Sequence, residues 1–221
     1  MKIKFAKISL PDHETISIHN IIYSPQGHIL KYDVTNKYAE TQHITYSYLK
    51  NRIIKNVSGA TYLYSLANGK VSQAKIGESL LTFKYSGDRL IEIERISGDE
   101  ITKAVLVWDT GNVIEIHTDD NYLGDNTMLI HPSKQSNPIG IIPSLLKSEF
   151  HHEIDFALMS AGYFGKCDKL LPETISYYFG ENDTSDILQV NLSYNFDSQN
   201  RVTIQSHQSS DDSITIEFVR R

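Results

Sequence analysis

Leu81-Thr-Phe83-Lys-Tyr85-Ser-Gly87-Asp-Arg-Leu90 is the stretch that decides the fold class. Leu81, Phe83 and Tyr85 alternate with Thr82, Lys84 and Ser86, so one side is apolar and the other polar. A period of two is the signature of a strand, because successive side chains leave a pleated backbone on opposite faces. Gly87 then supplies the positive φ that a tight reversal needs, and an aliphatic residue opens the next strand. The unit is a β hairpin with one dry face and one wet face, as an antiparallel sheet exposed on one side requires.

The same unit recurs outward from this point. It reads Tyr23-Ser-Pro-Gln-Gly27-His-Ile29, Tyr46-Ser-Tyr-Leu-Lys-Asn51-Arg-Ile53, Tyr64-Ser-Leu-Ala-Asn-Gly69-Lys-Val71 and Trp108-Asp-Thr-Gly111-Asn-Val113. With Tyr85, the aromatic anchors fall 23, 18, 21 and 23 residues apart, and Tyr194-Asn-Phe-Asp-Ser-Gln-Asn200-Arg-Val202 forms a further copy. Spacing of this kind marks an array of one supersecondary unit. Alternation also covers Ile114 and Ile116, the run from Leu188 to Phe196, and Ile214 to Phe218. About fourteen strands are predicted.

One segment breaks the rhythm. Leu145, Leu146, Phe150, Ile154, Ala157, Leu158 and Ala161 follow helical spacing, which predicts a helix over Pro143 to Ala161. Asp119 to Pro143, rich in Asp, Asn, Gly, Ser and Pro, reads as a long irregular connection, and Gly162 to Pro172 as another. The expected architecture is a mostly β, single domain spanning 1–221, with a loop-and-helix insertion at about 119–172. A curled antiparallel meander, barrel-like or half-barrel, would set the inserted helix against its concave face and bury both apolar surfaces at once. A two-sheet sandwich is the alternative.

The totals bound the function. A chain of 221 residues, 40% hydrophobic and 22% charged, can build a core without disulfide or metal staples. A net charge of -6 argues against a grip on phosphate backbones, so nucleic acid is not an expected partner. Cys167 is the only cysteine, which excludes an internal disulfide and multi-cysteine metal sites; it reads as a half-buried small apolar residue. No stretch has the run of apolar residues of a membrane helix, and Met1 to Leu10 alternates like a strand where a signal peptide would be continuous. Either the protein is cytoplasmic or the numbering begins after a removed export signal. The predicted strands are shorter than those of an outer-membrane barrel, and Glu92 and Glu94 would load a lumen with charge, so the chain is not expected to span a membrane.

The aromatic-x-x-x-Gly-x-aliphatic hairpins resemble the YD-type repeats of bacterial secreted and surface proteins, with Trp108-Asp109-Thr-Gly111 nearest that pattern. With the interrupting segment and Lys166-Cys167-Asp-Lys169-Leu-Leu171-Pro172 before the last hairpins, nearly the whole chain is similar to an uncharacterised Bacteroidetes family. Its members are exported proteins, many of them lipoproteins, described as a domain of unknown function with a porin-like fold. The resemblance implies export to the periplasm or outer-membrane surface, a curled β architecture, and a lipidated cysteine upstream of Met1. The sequence shows no such signal or N-terminal cysteine, and the family brings no catalytic residues to carry over.

His151-His152-Glu153 with Asp155 is the densest set of metal-capable groups, but its histidines are adjacent and point about 100° apart on a helix, so a solvated helix face is expected. Asp119-Asp120-Asn121 and Gly124-Asp125-Asn126 suggest a calcium loop, yet Ile130 stands where a bidentate Glu belongs, so a polar turn is expected. Gly180-Glu181-Asn182-Asp183 reads as a hairpin turn, and Glu92 with Glu94 as solvent-face charges. There is no Gly-x-Ser-x-Gly elbow and no phosphate-cradling glycine loop. No cofactor, metal or catalytic residue is assigned. The expected function is a non-enzymatic cell-envelope module that binds a glycan or a protein through tyrosine-rich strands. The alternatives are an enzyme built from Asp119–Asp125 and His151–Asp155 at the open end of the sheet, and a structural or assembly component.

Overall fold

A computed structural model describes residues 3–9, 15–36, 38–121, 124–137, 140, 142–148, 150, 154–179, 187–196, 202–207 and 213–220. The chain is mostly β, an antiparallel meander, with one helix and one 3-10 turn among the described residues. Its strands are β1 (Ile3–Ser9), β2 (Thr15–Tyr23), β3 (Ile29–Thr35), β4 (Thr41–Leu49), β5 (Arg52–Val57), β6 (Ala60–Ala67), β7 (Lys70–Ile76) and β8 (Ser79–Ser86). They continue as β9 (Arg89–Ser97), β10 (Glu100–Asp109), β11 (Asn112–Asp120), β12 (Asn126–Ser136), β13 (Leu170–Phe179), β14 (Ile187–Phe196), β15 (Val202–His207) and β16 (Ser213–Arg220). The opening stretch is hairpin β8–β9, with Gly87 at φ +57° in its turn.

The chain divides into two compact units. The first comprises Met1–Leu49, Ile54–Thr61 and Val190–Arg221. Its strands run β4, β3, β2, β1, β16, β15, β14, each antiparallel to the next. Four of its ring-bearing residues cluster: the His28 and Tyr48 rings lie 4.8 Å apart, those of Tyr46 and Tyr48 6.2 Å, and those of Tyr32 and Tyr46 6.1 Å. Tyr48 donates to the Ile29 carbonyl at 2.8 Å, so its ring fills apolar space while its hydroxyl keeps a partner. His19, Asp33 and His43 stand opposite one another across three strands. Asp33 accepts from Asn20 at 2.7 Å and pairs with His43 Nδ1 at 2.8 Å; the Asn20 bond first, then His43, holds its carboxyl below the usual range.

The second unit, Lys50–Ile53 and Tyr62–Gln189, holds strands β7 to β13 in sequence order. The predicted period of two appears as burial. Tyr64, Val71, Ala74, Leu81, Phe83, Leu90, Ile93, Ala104, Leu106, Ile116, Met128, Ile130 and Ile175 are all buried on one face. Segment 137–169 covers that face with Ile142, Leu145, Phe150, Ile154, Leu158, Met159 and Phe164, also buried. The Phe164 ring meets Phe83 edge-on at 5.2 Å.

The covering segment is not the single helix that its spacing predicts. Pro143–Lys147 forms a 3-10 turn, and Phe156–Ser160 forms the short helix α1. Ser148 ends the turn in an extended conformation; its hydroxyl donates to the Leu145 carbonyl at 3.0 Å and accepts from the Phe150 amide at 3.3 Å. Such local side-chain bonds compete with the helical ladder. Asp155, also extended, then starts α1 by accepting from the Leu158 amide at 2.9 Å. The apolar residues reach the sheet at helical intervals because each is anchored separately. Asp155→Ala removes this cap and is expected to cost about 1 kcal/mol in chemical denaturation.

The long connection expected over Asp119 to Pro143 is also shorter than read. β11 runs to Asp120 and β12 occupies Asn126–Ser136, while Leu170 to Pro172 begins β13. Pro132 and Pro172 misled the reading: they face each other where the β12–β13 register shifts, a place where a missing N–H breaks no ladder bond.

Candidate functional site

Residues 163–170 run as a strap along one end of the second unit. The Val71 amide donates to the Tyr163 carbonyl at 2.8 Å, and the Lys166 amide donates to Asp88 O at 2.7 Å in the β8–β9 turn. At the β10–β11 turn the Lys169 amide donates to Gly111 O at 3.1 Å, the Leu170 amide to Asn112 Oδ1 at 2.8 Å, and the Val113 amide to Asp168 Oδ1 at 2.7 Å. Lys70 adds an ion pair to Asp88 at 3.0 Å. These turns are the repeated aromatic–glycine units of the sequence, so the repeat supplies the edge on which the strap is stitched.

The opposite end of the covered face is polar. Arg95, Thr102 and Asp120 stand directly opposite one another on β9, β10 and β11. Thr102 Oγ1 donates to Asp120 Oδ2 at 2.6 Å and accepts from Arg95 Nη2 at 3.0 Å; Thr102 and Asp120 are buried. The Arg95 guanidinium also lies over the Phe150 ring at 5.7 Å. A neighbouring rung sets Thr118, Asn126 and Phe179 side by side on β11, β12 and β13. Phe179 stacks on Tyr177 with an interplanar angle of 9° and leaves 48% of its own surface exposed. Burial pushes the Tyr177 hydroxyl well above its ordinary range. The exposed Phe179 ring thus stands in register with the half-buried Asn126, an arrangement in which a ligand can stack on the ring and meet an amide at its border.

Sequence reasoning did not single out Arg95, Thr102 or Phe179. The signal was present: Thr102 precedes Ala104 and Leu106 on the inward side of β10, and Asp120 follows Ile116 and Thr118 on that of β11. In each strand the polar residue interrupts the apolar face at the same end.

The groups that the sequence did single out fall in several places. Asp119 is exposed on the outer face, one residue from the inward Asp120. Asn121 donates to Asp99 O at 3.0 Å and accepts from the Ile101 amide at 2.9 Å, and the Gly124 amide donates to Asp120 O at 2.8 Å. Asp155 caps α1. His151, His152 and Glu153, and the Gly180-Glu181-Asn182-Asp183 turn, lie outside the described residues. Among the described residues no three His, Cys, Asp or Glu side chains are grouped to hold a metal ion. Cys167 is half-buried and donates to Gly140 O at 2.8 Å; burial, then the neighbouring Asp168, pushes its thiol up to about 12.

The outer face of the second unit is layered. Leu63, Lys75, Leu80, Ile96 and Ile101 form one rung across five strands, and its four aliphatic members are exposed. Further along the strands come the rungs Gln73–Thr82–Glu94–Lys103–Asp119 and Lys84–Glu92–Val105–His117–Thr127. Glu92 pairs with Lys84 at 2.6 Å and Lys103 at 3.3 Å, and these bonds, Lys84 foremost, hold its carboxyl below the usual range. Charge therefore occupies the middle of the strands and aliphatic side chains one end. No described helix is long and apolar enough to cross a membrane.

No protein-family model matches the chain, and no curated protein matches it. Among the solved structures that share its fold are two described as porin-like proteins. One, from Bacteroides uniformis ATCC 8492, superposes with a TM-score of 0.70 at 10% identity, covering 99% of this chain and 98% of the other. The second, from Bacteroides vulgatus ATCC 8482, gives a TM-score of 0.66 at 14% identity, covering 100% and 99%. At these identities the likeness concerns the backbone: the chain has the fold of the porin-like Bacteroides proteins.

Proposed function

We propose that this protein is a non-enzymatic module of the bacterial cell envelope that binds a glycan or a protein segment at the polar end of its second unit. The observation that carries the reading is the exposed Phe179 ring, stacked on Tyr177 and flanked in register by the half-buried Asn126. Stacking against a flat apolar ligand face, with an amide in fixed register at its border, suits a pyranose ring or an extended peptide. Export to the periplasm or outer-membrane surface is part of the proposal, supported by the porin-like fold of the Bacteroides proteins.

A lipid-spanning role fits the outer face poorly. Lys84, Glu92, Glu94 and Lys103 lie midway along their strands, where a lysine facing lipid costs about 2–4 kcal/mol. A catalytic role drawing on Asp119–Asp125 and His151–Asp155 is also less favoured, because Asn121 and Asp155 already hold backbone groups of the fold.

The test is calorimetric titration of the protein with a panel of soluble polysaccharides and unstructured peptides, repeated with Phe179→Ala. Binding at sub-millimolar concentration that weakens about tenfold in the variant is expected, since losing one stacking ring removes roughly 1.4 kcal/mol. Absence of any ligand at that level, or a ligand held equally well by Phe179→Ala, would sink the assignment.

A further inference from the structure

We propose that the 163–170 strap is a pH-operated latch, with the Asp168 carboxyl as its moving part, which fastens the covering segment in mildly acidic solution and loosens towards neutral pH.

The argument starts from the seat of Asp168. The residue is 6% exposed, and among the described residues its carboxyl receives one hydrogen bond, from the neutral Val113 amide at 2.7 Å, and no ion pair. That amide belongs to the β10–β11 turn, so the bond joins the strap to the sheet. The strap's other charged groups are turned elsewhere. Lys166 pairs with Asp88 at 3.7 Å, and the Lys169 stem lies against Gly111. The Cys167 thiol, pushed up to about 12, stays neutral throughout the range that matters. Asp109, at the end of β10, is exposed and shares its carboxylate with the Thr110 hydroxyl at 3.5 Å. Asn137 ties the backbone on the other side, through its amide to Lys169 O at 2.8 Å and its side chain to Asp168 O at 3.1 Å.

A carboxyl in such a place prefers to remain protonated, since burial disfavours the charged form. Burial pushes Asp168 up to about 7 from its ordinary 3.8, and the Val113 bond offsets only part of that. The sign follows from linkage. Below pH 3.8 the docked and undocked straps are both protonated. As pH rises, the undocked strap ionises freely while the docked one resists, so opening gains about tenfold per unit until the docked carboxyl also ionises near pH 7. Beyond that point the effect levels off.

What the latch controls is the cover over Leu81, Phe83 and Ile93, because Phe164, within the strap, packs on Phe83. This holds whatever ligand the polar end of the unit takes.

Hydrogen exchange of single amides by NMR, corrected for the intrinsic pH dependence of exchange, decides the matter. The probes are the Lys166, Lys169, Leu170 and Val113 amides, with the β3–β4 amides of Tyr32 and Ile44, in the first unit, as internal controls. Protection of the strap amides is expected to fall about a hundredfold between pH 5 and pH 8, with the controls falling far less. Asp168→Asn keeps an acceptor for Val113 without a titrating group, so its strap protection should be flat with pH. Strap protection in the wild-type protein that changes less than threefold, or in parallel with the controls, overturns the latch. That comparison stands on the wild type alone should Asp168→Asn fail to fold. Retention of the full pH dependence in a folded Asp168→Asn overturns it equally.

Discussion

Gly165→Ala is expected to destabilise the protein by about 3 kcal/mol or more, among the largest effects of adding a single methyl group. Gly165 sits at φ +84°, a conformation whose cost to other residues is about 1–3 kcal/mol. A Cβ there would also collide with the backbone carbonyl of Asp88, the acceptor of the Lys166 amide. A carbonyl fixed in a hairpin turn cannot rotate away as a side chain can, so the strap would lift from β8–β9. Gly111→Ala is the informative contrast. Its φ is +96°, but the atoms a Cβ would meet belong to the flexible Lys169 side chain, with Cε at 2.6 Å. That variant should lose only the conformational part, about 1–2 kcal/mol. Paired urea denaturation curves check the difference, and equal losses would show that the strap is not seated on the β8–β9 turn.

Phe164→Ala is expected to cost about 3–5 kcal/mol, the range for emptying a buried aromatic site. Its side chain is almost fully enclosed and meets the Phe83 ring at 5.2 Å and 75°. The neighbours have little freedom to collapse into the space, because Tyr163 and Lys166 are hydrogen-bonded to β7 and to the β8–β9 turn. A double-mutant cycle with Phe83→Ala should return a coupling of about 0.5–1.5 kcal/mol from the edge-to-face contact. A loss below about 1 kcal/mol would mean that the covering segment contributes little to the core of the second unit.

How much of this was legible in the sequence depends on whether the deciding interaction was local. Leu81, Phe83 and Tyr85 announced their strand because alternation is a property of the backbone itself, and Gly87 announced its turn because positive φ is a property of the residue. Leu145, Phe150, Ile154 and Leu158 kept helical intervals, yet a helix forms only at Phe156–Ser160, since Ser148 and Asp155 divert the backbone and the sheet supplies the burial. Pro132 looked like a breaker because a register shift on the partner strand cannot be read from its own neighbours. The polar end of the second unit was hidden for a related reason: Arg95, Thr102 and Asp120 become one rung only when three strands are set in register. Phe179 gave no signal of its own, because its place beside Asn126 depends on the register of β12 and β13.

The separation along the chain between strap and sheet has a consequence for how the protein assembles. The hairpins β6–β7, β8–β9 and β10–β11 close through neighbouring residues and carry a small entropic cost, so they form early. Tyr163 reaches Val71 and Lys166 reaches Asp88 only after the whole of β12 has been made. During synthesis the aliphatic side of these hairpins therefore waits in water for its cover, and that interval is when a chaperone would be needed most.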